Sequence, residues 1–125
     1  MEYRDLVNAV KDLQFIKDKA TAEAAVKAVL GVLVSRLEEE VAQDFAETLP
    51  KPLDFDMLRG RQVNVTEVSV QQYRDTIAEQ FELELDEAWQ LVRTVLHIVR
   101  DGLSDEIIED IQETLPSDWQ RFLQS

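Results

Sequence analysis

Apolar residues return along this chain at steps of three and four, and they do so in the same order twice. Tyr3, Leu6, Val7, Val10 and Leu13 form one side of a short amphipathic helix. A longer stripe follows in Ala22, Val26, Val29, Leu30, Leu33 and Leu37, widened by Ala25, Ala28 and Val32. Val41, Phe45 and Leu49 make a third, with Glu39, Glu40, Gln43, Asp44 and Glu47 left on the solvent side. Further on, the series is Tyr73, Ile77 and Phe81, then Ala88, Val92, Val95, Leu96, Val99 and Leu103, then Ile107, Ile111 and Leu115. Thr21, Asp86 and Ser104 stand where N-caps are expected, because a short oxygen-bearing side chain there can accept from an amide of the first helical turn.

The two series are copies. Residues 21–50 align without a gap on 87–116, at an offset of 66 with 11 identities in 30, and both end in Glu-Thr-Leu-Pro. Tyr-Arg-Asp at 3–5 returns at 73–75, an offset of 70, so the first copy carries four extra residues, placed in the turn around Gln14 to Lys19. What the duplication keeps is a way of burying a face. A proline pushes the residue before it out of the helical region, so Pro50 and Pro116 are read as helix stops. Asp101-Gly102 breaks the pattern ahead of the second copy's third helix, whereas Ser35 to Glu40 contains no glycine and predicts a softer break or none.

This pattern predicts an all-α helical bundle of two tandem three-helix repeats, related by a pseudo-twofold axis through the paired second helices. The chain reads as one domain: repeat one at about 1–50, a connecting segment at 51–70, repeat two at about 71–116, and a C-terminal aromatic segment at 117–125. Pro52, Gly60 and the spacing of Val63, Val65, Val68 and Val70 mark the connection as non-helical, although Leu53, Phe55, Met57 and Leu58 make it apolar enough to pack on the bundle.

Charge narrows the range of partners. Twenty-six acidic against thirteen basic residues give a formal charge of -13, which repels a phosphate backbone and an anionic bilayer. Nucleic acid and membrane partners are therefore not expected. The same charge serves solubility, or a docking face for a basic partner. No stretch approaches the roughly 20 apolar residues of a membrane span, and the N-terminus lacks a secretory pattern. With cysteine absent as well, the expected location is the cytoplasm, and thiolate metal sites and disulfides are excluded.

Chemistry is sparse. One histidine, His97, cannot supply a His-Glu-x-x-His zinc site, and position 94 is threonine where a di-iron Glu-x-x-His pair needs glutamate. Serine catalysis through His97 with Ser35, Ser69, Ser104 or Ser117 has no sharp turn to present a nucleophile. His97 reads as a residue at the broad edge of a core helix, or as a pH-sensitive contact where the two central helices cross. Gly31, Gly60 and Gly102 stand too far apart for a phosphate-cradling loop. Neither Asp54-Phe55-Asp56 nor Asp101 to Asp110 has the register of a calcium loop. No catalytic residue, metal site or cofactor is expected.

Taken together, the tandem three-helix unit, the aromatic opening each first helix, the Ala-x-x-x-Val stripe of each second and the Leu-Pro after each third resemble the bacterial family catalogued as domain of unknown function 2267. The resemblance implies a helical bundle in a bacterial cytoplasm, with glycine before the third helix of each repeat. Gly102 meets that pattern, and the first repeat departs from it.

The functional expectation is a non-enzymatic protein-interaction module in bacterial stress or regulatory physiology. Its candidate contacts lie in the non-repeated segments: Phe55, Met57 and Leu58 in the connection, and Trp119, Phe122 and Leu123, spaced as one face of a short terminal helix. The partner is an unidentified protein, a second copy of the chain included. Two alternatives stand beside it, a small-molecule or lipid binder with a cavity between the repeats, and an acidic DNA mimic.

Overall fold

A computed structural model describes residues 2–51, 53–59 and 69–114. Seven helices occur among the described residues and no strand: α1 (Tyr3–Lys11), α2 (Lys19–Arg36), α3 (Glu39–Glu47), α4 (Phe55–Arg59), α5 (Val70–Phe81), α6 (Leu85–Asp101) and α7 (Asp105–Thr114). The all-α prediction therefore holds. The longest, α2 and α6, are the second helices of the two sequence copies.

Most of the predicted apolar stripes face the core. Ala22, Val26, Val29, Leu30, Leu33 and Leu37 are buried, as are Ala88, Val92, Val95, Leu96 and Val99, while Leu103 is half-buried. The carboxylates and the amide assigned to the outside of α3 are exposed. α1 packs on α2 and α6, α5 packs on α6 and α2, α2 crosses α6, and α3 meets α7. Exchanging α1 with α5, α2 with α6 and α3 with α7 carries these contacts onto themselves. α4, which packs on α2 and α3, has no counterpart among the described helices.

Several local expectations change. The N-cap of α2 is Asp18, whose carboxylate accepts from the Thr21 amide at 2.8 Å. Thr21 is thus the donor in the cap and lies one turn inside the helix. That hydrogen bond, which stabilises the ionised form, holds the Asp18 pKa below its ordinary value. α6 is capped by Glu84 in a reciprocal box with Glu87, and Asp86 sits in its first turn. Ser104 does cap α7, accepting from the Ile107 amide at 3.3 Å.

Between α2 and α3 the chain breaks fully without glycine, because Leu37 and Glu38 both adopt extended backbone (ψ 151° and 153°), which any residue can reach. α3 stops at Glu47, before Pro50, and Leu49 closes the turn by donating its amide to the Ala46 carbonyl. The four-residue difference between the copies lies where it was placed. Residues 12–18 connect α1 to α2, and only residues 82–84 connect α5 to α6. The shorter turn requires Glu82 in the left-handed region (φ 54°), with the Leu83 amide reaching back to the Ala78 carbonyl at 2.8 Å.

The connecting segment is partly helical, contrary to expectation. Asp54 accepts from the Met57 amide at 2.7 Å and starts α4, and Leu53 and Leu58 are buried against α2 and the core. α4 comes close to α2 at Gly31, where a Cβ would stand 3.4 Å from the Leu58 carbonyl oxygen. Val70, read as extended, is the first residue of α5, capped by a reciprocal Ser69–Gln72 pair. Val63, Val65 and Val68 lie outside the described residues.

α2 and α6 differ in how far they are covered. α2 carries apolar residues on nearly every side and is contacted by α1, α3, α4, α5 and α6. α6 is amphipathic and keeps one polar side. A helix apolar all round needs cover all round, and α4 supplies the last part of it.

Candidate functional site

Tyr73 ties the two halves of the chain together. It is fully buried, and its hydroxyl donates to the Val29 carbonyl in the middle of α2, 44 residues away. Burial raises its pKa well above the ordinary tyrosine value, since a phenolate there would lose its hydration. Tyr3, its counterpart in the first copy, is only partly buried. Its hydroxyl is shielded from solvent with no hydrogen bond of good geometry, and its pKa is raised first by burial and then by the nearby Glu23 carboxylate. Each tyrosine is accounted for by packing.

The serines weighed as nucleophiles have structural partners. Ser35 donates to the Val32 carbonyl at 2.6 Å, and Ser69 and Ser104 accept helix N-terminal amides. Ser117 lies outside the described residues. His97 is half-buried on α6 and lines a surface depression of about 430 Å³ with Asp86, Trp89, Gln90, Arg93 and Thr94. Arg74 of α5 lies over the Trp89 ring, 5.7 Å from its centroid, and is held there by an ion pair with Asp75 at 2.9 Å. This face was only partly legible beforehand. Trp89 and His97 stand out in the sequence, but Gln90, Arg93 and Thr94 attract notice only once the stripe i, i+3, i+4, i+7, i+8 from Asp86 is traced beside the apolar one.

A second depression, of about 330 Å³, lies between α3 and α4 and is lined by Gln43, Ala46, Glu47, Asp54, Phe55 and Asp56. One of the residues singled out in the connecting segment lines it. Phe55 is half-buried in its wall, and Met57, exposed to 40 %, is one of two large apolar residues exposed among those described. Leu58 is turned into the core, leaving 9 % of its surface exposed. Trp119, Phe122 and Leu123 lie outside the described residues.

Where the two halves meet, Leu33, Phe45, Leu96, Val99, Leu103 and Ile111, with Arg100 and Gln112, line a partly open, mostly apolar pocket of about 30 Å³. Ligand pockets typically span about 300–1,000 Å³, so this void has the size of a packing defect. No group of three or more potential metal-ligating side chains converges among the described residues. No described helix is long and apolar enough to cross a membrane.

The class defined by these features is an all-helical bundle that carries, among the described residues, an acidic and apolar groove between α3 and α4 and an aromatic depression of mixed charge on α6. The chain belongs to the uncharacterized conserved protein family DUF2267, whose model matches residues 3–122. No curated protein matches it.

Proposed function

We propose that this protein is a non-enzymatic interaction module whose described contact surface is the α3–α4 groove. The observation that carries the reading is the pairing, in one depression, of half-buried Phe55 with Glu47, Asp54 and Asp56, with the exposed Met57 on the same short helix. Apolar anchors ringed by carboxylates match a basic amphipathic segment, with the anchors supplying affinity and the charges steering approach. The formal charge of -13 acts in the same direction. Leu58 is left out of this surface, because it packs in the core.

A bacterial cytoplasm, a regulatory setting and the absence of nucleic-acid or membrane partners belong to the same reading. They are supported by the charge and by the family resemblance. A lipid or small-molecule binder would have to open the 30 Å³ void between the halves many times over. A DNA mimic would use the acidic charge and not the apolar anchors.

The test is binding of a synthetic helical peptide with lysines on one face and leucines on the other, with a glutamate-for-lysine peptide as control. The basic peptide is expected to bind, to weaken with salt, and to lose about tenfold in affinity, roughly 1.4 kcal/mol, on Phe55→Ala with Met57→Ala. Equal binding of the acidic peptide, or full affinity in the double variant, removes the groove as the site.

A further inference from the structure

The polar side of α6 is its own complement when reversed. Its stripe runs Asp86, Trp89, Gln90, Arg93, Thr94 and His97, over about three turns, at the intervals that bring side chains to one helical face. Turned end for end about a point between Leu91 and Val92, the stripe sets Asp86 against His97, Trp89 against Thr94, and Gln90 against Arg93. Asp86 also lies one turn from Gln90, within the range of a long side chain such as Arg93 on an antiparallel neighbour.

We infer that this face self-associates: α6 of one chain pairs antiparallel with α6 of a second copy, and Arg93 of each meets Asp86 of the other. Charge selects the face. Two chains of net charge -13 repel wherever carboxylates crowd, so they can meet only where acids are balanced. The stripe offsets one carboxylate with one guanidinium, whereas the α3–α4 groove is lined by Glu47, Asp54 and Asp56 with no described cation. Antiparallel pairing also sets opposite helix-dipole ends side by side.

The face is open and carries a held anchor. Asp86, Gln90 and Arg93 are exposed, and the described lining of the depression comes from α6 alone. The aligned positions of the first copy are Ala20, Glu23, Ala24, Lys27, Ala28 and Gly31, and there α4 comes close at Gly31. Trp89 is half-buried with Arg74 over its ring, so its indole is fixed before any partner arrives. Thr94 donates its hydroxyl to the Gln90 carbonyl at 2.7 Å, so an indole can pack against it without stripping that donor of its acceptor. One helical stripe is smaller than the roughly 800 Å² per partner of a standard interface, so the dimer is weak and forms at high protein concentration.

Sedimentation equilibrium of the full chain tests this. Wild type is expected to show a concentration-dependent monomer–dimer equilibrium. Asp86→Arg and Arg93→Asp each give both positions one sign, so each alone should weaken dimerisation at least about tenfold, with the helical circular dichroism kept. Mixed one to one, the two variants should recover the dimer, because each supplies the charge that the other lacks; a merely structural effect of either substitution would not be rescued. Wild type that stays monomeric at millimolar concentration overturns the inference. So does a dimer that neither variant weakens, or a pair of weakened variants that mixing fails to restore.

Discussion

Tyr73 shows how one residue couples burial, hydrogen bonding and pH. Its phenol fills space between α5 and α2 and donates a hydrogen bond to the Val29 carbonyl. Tyr73→Phe keeps the ring and removes only the hydroxyl, so we expect a loss of about 1 kcal/mol in chemical denaturation at neutral pH, the usual net value of such a bond. The pH dependence follows from the raised pKa. In the unfolded chain a tyrosine ionises near pH 10.0, and in the fold Tyr73 stays neutral well beyond that. Its contribution is complete below pH 10 and is lost as pH rises toward the folded value. The gap between wild type and Tyr73→Phe should therefore narrow above pH 10. A gap that widens there would show that the hydroxyl is not held neutral by burial.

At the scale of elements, the contact between α4 and α2 turns on Gly31. A Cβ at Gly31 would stand 3.4 Å from the Leu58 carbonyl oxygen, at the near edge of ordinary van der Waals contact, so a methyl group fits. Gly31→Ala should raise stability by roughly 0.5–1 kcal/mol, since glycine is a poor residue inside a helix. Gly31→Leu should push α4 outward, lower the melting temperature and expose Phe55 and Leu53 to proteolysis at the connecting segment. Equal melting temperatures for the two variants would mean that α4 does not rest on α2. α4 itself was hard to read in advance. Five helical residues show too little periodicity to separate from extended chain, and Pro52 and Gly60 on either side read as loop. The long helices were legible because eighteen and seventeen residues repeat a 3.6-residue period several times. Their caps were misplaced by two or three residues for a related reason. Asp18 and Thr21 are both good cap types, and choosing between them depends on where the preceding turn leaves the chain.

The molecule as a whole carries a net charge of -13 on a small surface. Self-repulsion among the excess carboxylates opposes compaction and is screened by salt. The melting temperature should therefore rise from low to physiological ionic strength with sodium chloride. A flat response would mean that the carboxylates are already neutralised by local partners. The same screening should weaken the proposed peptide contact, so stability and binding should move in opposite directions with salt. Such a divergence would separate a steering role for the charge from simple solubility.

The helical class, the six helices other than α4 and most of their apolar faces were readable from the chain, because each depends on the local period and on residues a few positions apart. The candidate site was readable only in part. Phe55, Met57 and Leu58 look alike in the sequence, yet Met57 is exposed, Phe55 lines a groove and Leu58 enters the core. What separates them is the direction in which a short helix meets α2, whose Gly31, more than twenty residues earlier, lies next to the Leu58 carbonyl. Likewise the choice of Tyr73 over Tyr3 for the bond across the molecule is not written in the Tyr-Arg-Asp that both share. Periodicity specifies which side of a helix turns inward, whereas the neighbour it meets there is set by packing between segments far apart in the chain.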